Sequence, residues 1–245
     1  IIACGFDPER TFIFSNHDYS KQKCVQDIIF KIKNIKVKVI NAIFGLDDNA
    51  TLGQIEWSLF QCSAAFPEFY EKIFADQDIM CLVPYAIDQD PYFRLSRDLA
   101  SKYSFKKPCS IISEFLPALE GFGKMSSTNN TNLPRKTIFM TDDPKIIAST
   151  IIRHAYSGGK QTKEEHQRLG ADLSVDIPYK YLRYFLNDDA ELKRIGEEYS
   201  SGKMMTSEIK KILIDLLIPI IVKHQEARNN VTQEVIDKFY SLDKF

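Results

Sequence analysis

The sequence predicts an α/β chain, with part of a parallel sheet in its first half and an all-helical second half. Three observations carry this reading. Residues 79–87 are an almost unbroken apolar run, residues 90–103 have the spacing of an amphipathic helix, and residues 109–112 are apolar again. Strand, helix and strand within about 35 residues make a βαβ unit, which requires parallel pairing and a right-handed crossover. Beyond about residue 140, apolar residues recur almost only at intervals of three and four, which is the helical period.

Taken in order, Thr11, Phe12, Ile13, Phe14 and Ser15 predict a strand. Residues 24–35 predict a helix with Ile28, Ile32 and Ile35 in register, and the aromatic-rich stretch 57–74 predicts another. The run 79–87 predicts a strand buried on both faces, weakened toward its end by Pro84. Asp90 then reads as an N-cap with Pro91 at the first helical position. Phe93, Leu95, Leu99 and Tyr103 give this helix its apolar side, and Lys106, Lys107 and Pro108 end it. The topology puts Asp88 and Gln89 at the carboxyl end of a strand, where open α/β sheets bind ligands. The loop containing Lys124 follows the next strand and is expected to hang over the same edge.

In the second half, Asp143 and Pro144 start a helix with a stripe of Ile147, Ile151 and Ala155, closed by Gly158 and Gly159. Thr162 to Glu165 reads as a capping box. Pro178 opens a helix bearing Tyr181, Leu182, Phe185 and Leu186. The longest helix is expected over residues 207–228, with Ile209, Ile212, Leu213, Leu216, Leu217, Ile220 and Ile221 at helical spacing and Pro219 kinking or breaking it. A last helix carries Val235, Ile236 and Phe239. Five or six helices in about 100 residues make a bundle.

Composition narrows the function. The 245 residues carry a formal net charge of -1, which argues against wholesale wrapping of nucleic acid while leaving room for a local basic patch. Five cysteines are dispersed without a CxxC pair, so they read as free thiols, and no structural metal is expected. No apolar run reaches the length of a membrane span, and no membrane partner is expected. The start, Ile1–Phe6, has neither a basic leader nor an initiator Met, so we expect a chain that begins partway through a longer protein.

The strongest chemical feature is the loop Gly121, Phe122, Gly123, Lys124, Met125, Ser126, Ser127 and Thr128. It offers a flexible approach, an ammonium, three hydroxyls and backbone N–H groups, a combination that can hold a polyphosphate. It is not a Walker A loop, which would need Gly at Ala118 and Ser or Thr at Met125. Taken alone, a solvated hydroxyl-rich turn would explain it equally well. Other candidates are read as structural. Asp88 and Asp90 end a strand and cap a helix rather than form an acid/base pair. His154 complements a helix dipole, and residues 202–206, which echo the loop, serve as a connector.

Residues 124–128 resemble the KMSKS signature of class I aminoacyl-tRNA synthetases. Residues 86–94 (Ala86 to Arg94), 115–119, 154–159 and 3–7 resemble the corresponding blocks of eukaryotic and archaeal tryptophanyl-tRNA synthetases, so the resemblance runs over almost the whole chain. It implies a partial class I Rossmann-like parallel sheet with a connecting insertion, then an all-α anticodon-binding domain. The divisions would be a connecting and dimerisation region at 1–75, the second half of the catalytic domain at 76–138, and the helical domain at 139–245.

The same resemblance implies an ATP-dependent tryptophan–tRNA ligase, with Mg2+ accompanying ATP, in a cytoplasmic homodimer. Lys124 would be the catalytic residue, stabilising charge on the leaving pyrophosphate. Lys124, Met125, Ser126 and Ser127 would bind ATP, Gln61 and Gln89 would bind tryptophan, and Lys160, Gln161 and Thr162 would face the tRNA anticodon. Three departures stand out. Ser127 replaces the second lysine of the signature, Gln161 stands where relatives often carry Asp, and the HIGH motif that positions ATP is absent. The chain alone is therefore expected to be inactive in activation. The rival readings are a non-catalytic tRNA-binding or interaction fragment and the sister tyrosyl enzyme.

Overall fold

The computed structural model describes residues 1–74, 78–126 and 137–245. They form two compact units: an α/β unit of Asp7–Glu114 with Gln233–Phe245, and a helical unit of Ile1–Phe6 with Phe115–Thr232. These units group residues by contact. The segments 1–75, 76–138 and 139–245 divide the chain by sequence, and their boundaries fall elsewhere.

The α/β unit opens differently from the sequence expectation. Residues 11–15 form no strand: Ile13 N–H donates to the Phe239 carbonyl at 2.9 Å, while Phe12 and Phe14 stack at 5.4 Å and pack against Tyr19. The aromatic alternation that suggested a strand serves this cluster instead. Helix α1 (Asn16–Tyr19) is followed by α2 (Lys23–Ile32), which buries Cys24, Val25, Ile28 and Ile32 on one stripe. Burial of each such aliphatic side chain is worth roughly 1.5–3 kcal/mol. The expected helix 24–35 stops at Ile32, and α3 (Val37–Phe44) starts separately and ends at Gly45, whose φ of 64° suits a left-handed cap.

The stretch 57–74 also divides. Helix α4 (Leu52–Ser63) begins at a capping box, in which Thr51 Oγ1 accepts from Gln54 N–H and Gln54 Oε1 accepts from Thr51 N–H at 2.8 Å. Pro67, with no N–H to continue a helix, opens a 3-10 turn, Pro67–Tyr70, ahead of α5 (Glu71–Phe74).

Strand β1 (Leu82–Ala86) pairs in parallel with β2 (Cys109–Ser113), Leu82 opposite Cys109, and α6 (Asp90–Tyr103) connects them. This is the expected βαβ unit. Strand β1 is shorter than the apolar run 79–87 and is open on the face bearing Leu82, which is 59% exposed; in β2, Ile111 is 57% and Ile112 48% exposed. Parallel strands lie buried when elements cover both faces. Here Tyr85 stacks on Phe93 of α6 with ring centroids 4.5 Å apart, while adjacent residues of β2, which point to opposite faces, stay open to solvent. Asp90 is not the N-cap of α6; a 3-10 turn, Ile87–Gln89, precedes the helix and Gln89 holds that position.

The helical unit follows its local signals closely. Helices α7 (Pro144–His154), α8 (Lys163–Leu169), α9 (Ile177–Phe185), α10 (Asp189–Ser200) and α11 (Thr206–Asn229) pack around Leu119, Ile147, Ile151, Ile177, Leu182, Ile195, Tyr199, Ile209 and Leu213. Asp143, Thr162, Asp176 and Asp188 each accept a backbone N–H at the start of a helix. Two local expectations need correction. Helix α7 ends at His154, so Gly158 and Gly159 do not cap it. Only one arm of the Thr162 box forms, from Glu165 N–H at 3.1 Å. Helix α11 runs through Pro219 unbroken.

The last helix, α12 (Gln233–Tyr240), leaves the bundle and joins the α/β unit, where Phe239 is buried. Among the described residues no helix is long and apolar enough to cross a membrane.

Candidate functional site

Gln61 and Gln89 are brought together within the α/β unit. Gln61 lies on the last turn of α4 and Gln89 ends the 3-10 turn after β1. The Gln61 Nε2 donates to Gln89 Oε1 at 3.4 Å, and both side chains are half-buried. Each amide keeps further donors and acceptors for a polar ligand without placing a net charge in the site.

The elements bearing them are tied to α6. Ser96 Oγ donates to the Cys62 carbonyl at 2.9 Å, and Cys62 Sγ donates to the Tyr92 carbonyl at 3.1 Å. Burial pushes the Cys62 thiol up to about 12, so it stays protonated and acts as a donor, although its contact with Ser96 pulls slightly the other way. On the Gln89 side the buried Asp90 carboxylate accepts the Tyr85 hydroxyl at 2.8 Å and the Arg94 guanidinium, and Arg97 lies 3.7 Å away. Burial alone would raise the carboxyl. The hydrogen bonds from Tyr85 and Arg94, with the charges of both arginines, outweigh it and hold Asp90 below the usual carboxylate range. A cavity of about 530 Å³ lined by Ile43, Ile87, Asp90, Pro91, Arg94, Leu95 and Asp98 opens at this clamp, and neither glutamine lines it.

The lysine loop is built within the helical unit. Met125 N–H donates to the Leu116 carbonyl at 2.8 Å and Ala118 N–H to the Gly123 carbonyl at 3.1 Å, closing a narrow antiparallel loop. Gly121 and Gly123 take φ values of 87° and 74°, conformations that disfavour a Cβ. The fully buried Leu119 fastens the loop to the bundle, helped by Tyr156 N–H to the Leu119 carbonyl at 2.7 Å and the Tyr181 hydroxyl to the Pro117 carbonyl at 2.8 Å. The Lys124 ammonium sits 4.6 Å from the centroid of the Phe115 ring, a cation–π contact. The Ser126 carbonyl accepts from Thr137 Oγ1 at 3.0 Å. Ser127 lies outside the described residues.

Lys160, Gln161 and Thr162 are exposed ahead of α8. Their backbone is held from beneath. The buried Asp176 accepts Gly158 N–H at 2.9 Å and the Tyr199 hydroxyl at 2.8 Å, and Ser157 Oγ lies 3.0 Å from that hydroxyl. Burial pushes the Tyr199 phenol up to about 12, although Ser157 and Thr206 pull it down, so it remains a donor. Lys160 N–H reaches His166 Nδ1 at 3.4 Å, leaving Nε2–H to donate to the Met204 carbonyl at 2.8 Å. The buried His166 ring is thereby held at both of its nitrogens.

Sequence reasoning missed the Asp90 clamp, Phe115 beneath Lys124, and the Asp176–Tyr199 network. The i,i+4 spacing of Asp90 and Arg94 was an available signal for the first. The other two join residues with no local relation.

Comparison with known proteins decides the family. The sequence pattern of the tRNA synthetases class I (W and Y) matches residues 1–220 of the chain. The chain belongs to that family. Within it, the cytoplasmic tryptophan–tRNA ligase of Dictyostelium discoideum is 43% identical over 249 residues, covering 100% of this chain and 61% of that protein. The human cytoplasmic tryptophan–tRNA ligase is 42% identical over 248 residues, covering 100% of this chain and 52% of that protein. The crystal structure of Plasmodium falciparum tryptophanyl-tRNA synthetase superposes with a TM-score of 0.88 at 40% identity, covering 99% of this chain and 64% of that one. The chain thus spans between about half and three fifths of the curated synthetases it matches. Its βαβ unit and helical bundle are a partial class I synthetase fold.

Proposed function

We propose that the protein is a tryptophan–tRNA ligase, in which this chain supplies the KMSKS-type loop, part of the tryptophan pocket and the anticodon-facing bundle. The observation that carries the reading is the Gln61–Gln89 amide pair at 3.4 Å, in a family whose similar members are tryptophan–tRNA ligases over the whole of this chain. A pair of neutral amides suits the polar groups of an amino acid, since unpaired buried charge would be costly.

In the reaction, the tryptophan carboxylate attacks the α-phosphorus of ATP, the bond to the bridging oxygen breaks, and pyrophosphate leaves. A hydroxyl of the terminal ribose of tRNA then attacks the carbonyl carbon of the tryptophanyl-adenylate, the ester forms, the hydroxyl proton is lost and AMP leaves. Lys124 needs no proton transfer: its ammonium leaves the Phe115 ring for the phosphates and offsets the charge that develops as pyrophosphate departs. Ser126, Ser127 and nearby backbone groups hold the phosphates, the Met125 backbone, whose N–H is taken by the Leu116 carbonyl, lies near adenine, and Mg2+ arrives with ATP as part of the substrate. Lys160, Gln161 and Thr162 face the anticodon from a backbone preset by Asp176, Tyr199 and His166. We place the enzyme in the cytoplasm as a homodimer.

The HIGH motif does not occur in these 245 residues, and we expect the chain alone to be inactive in activation. Tryptophan-dependent ATP–pyrophosphate exchange tests this on two proteins, the 245-residue chain and the product of the complete gene. Exchange is expected from the second only. Full exchange by the chain alone would overturn its incompleteness as a catalyst, and preference for tyrosine would overturn the substrate.

A further inference from the structure

Gln89 is followed directly by Asp90, a carboxylate only 4% exposed. Its Oδ1 accepts the Tyr85 hydroxyl from β1, and its Oδ2 accepts the Arg94 guanidinium from α6. Tyr85 and Asp90 bracket the segment 86–89, so their hydrogen bond closes a short loop around the 3-10 turn that presents Gln89. Arg97, 3.7 Å from the same carboxylate, also donates to Ser110 Oγ of β2 at 3.1 Å. One buried charge therefore fixes the turn to both strands and to the helix. On the opposite side, α6 fixes Cys62, the neighbour of Gln61, through Ser96 and Tyr92. The distance between the two amides is set by what each holds on α6.

We propose that Asp90 is a positioning residue for tryptophan binding, acting through Gln89 and never touching the substrate. This rests on the reading that Gln61 and Gln89 bind tryptophan. Asn at this position keeps the size and can still accept from Tyr85, but it loses the charge that orients Arg94 and Arg97, so the turn is freed without opening a cavity.

The test uses the product of the complete gene, with KM values for tryptophan and ATP from pyrophosphate exchange and thermal melting of each variant. Asp90→Asn should raise the tryptophan KM about tenfold, as expected when a small misplacement disturbs substrate geometry, and leave the ATP KM within about twofold. Tyr85→Phe, a milder change should Asp90→Asn fail to fold, should raise the tryptophan KM about threefold on the same grounds. On a Gln89→Ala background, Asp90→Asn should add less than about twofold, because residues acting as one unit are not additive. The proposal is overturned if Asp90→Asn and Tyr85→Phe both spare the tryptophan KM. It is equally overturned if Asp90→Asn costs as much without Gln89, which would mark a general structural role. A Gln89→Ala variant with unchanged tryptophan KM would bring down the substrate reading, and this proposal with it.

Discussion

At the scale of single residues, Lys124 shows how an aromatic neighbour can place a charged side chain. Its contact with Phe115, at 4.6 Å, is worth about 0.5–1 kcal/mol at an exposed site. A phosphate interaction is stronger than this one contact. In the product of the complete gene, Lys124→Ala should lower the rate constant of exchange about 10²–10³-fold, the usual cost of one donor aimed at developing charge. Tryptophan affinity, measured by equilibrium dialysis, should change no more than about threefold. Equal losses in both would contradict a transition-state role.

At the scale of elements, the connection between α7 and α8 holds more constraint than its composition suggests. A Cβ on Gly158 would lie 2.0 Å from the Asp172 carbonyl oxygen, and the Asp172 N–H donates back to the Gly158 carbonyl at 2.9 Å. The two backbones meet directly, so the glycine is required for close approach rather than for capping a helix. Gly158→Ala must push them apart and strain the Gly158 N–H to Asp176 hydrogen bond. A loss of about 3 kcal/mol is expected from overpacking at a rigid contact, read from urea denaturation. The same variant should weaken tRNA binding more than exchange, because the displaced backbone carries Lys160, Gln161 and Thr162.

At the scale of the whole molecule, the chain crosses between its two compact units more than once, so neither unit is a single stretch of sequence. The α/β unit is closed by its own distant ends. Lys244 Nζ donates to the carbonyls of Pro8 at 2.5 Å, Thr11 at 2.7 Å and Lys238 at 2.7 Å. The bonds to Pro8 and Thr11 join segments more than 230 residues apart, with the Phe239 carbonyl holding Ile13 nearby. Lys244→Met, which keeps the length and removes the donors, should cost about 2 kcal/mol. Hydrogen exchange should quicken in residues 233–245 and 8–14 together, while α2 and α4 stay protected. Fraying of the C-terminal segment alone would show that the two ends are not coupled.

These scales separate what could be read early from what could not. Most helices of the second half were legible because their determinants are local, although α10 (Asp189–Ser200) was not among those expected. Asp143 caps within two residues, Pro178 marks the start of α9, and the Ile147–Ile151 and Ile209–Leu213 stripes repeat every turn. The βαβ order and the pairing of Gln89 with a ligand edge followed from topology rules, and the family blocks named the chemistry. The strand expected at residues 11–15 failed because aromatic alternation fits a strand and an aromatic cluster equally, and only the partners Tyr19, Phe69 and Tyr70 distinguish them.

By itself, then, the sequence determined the family, the βαβ unit and most helices of the second half, and it supplied the candidate residues of the site. The tertiary structure decided that α12 joins the α/β unit, that the lysine loop is fastened to the helical bundle through Leu119, that both faces of β2 stay open, and that Asp90 anchors a turn instead of capping a helix. The reason is the range of the forces involved. Helical period and caps are satisfied within a few residues, whereas burial and the pairing of a buried charge depend on groups that only folding brings within contact.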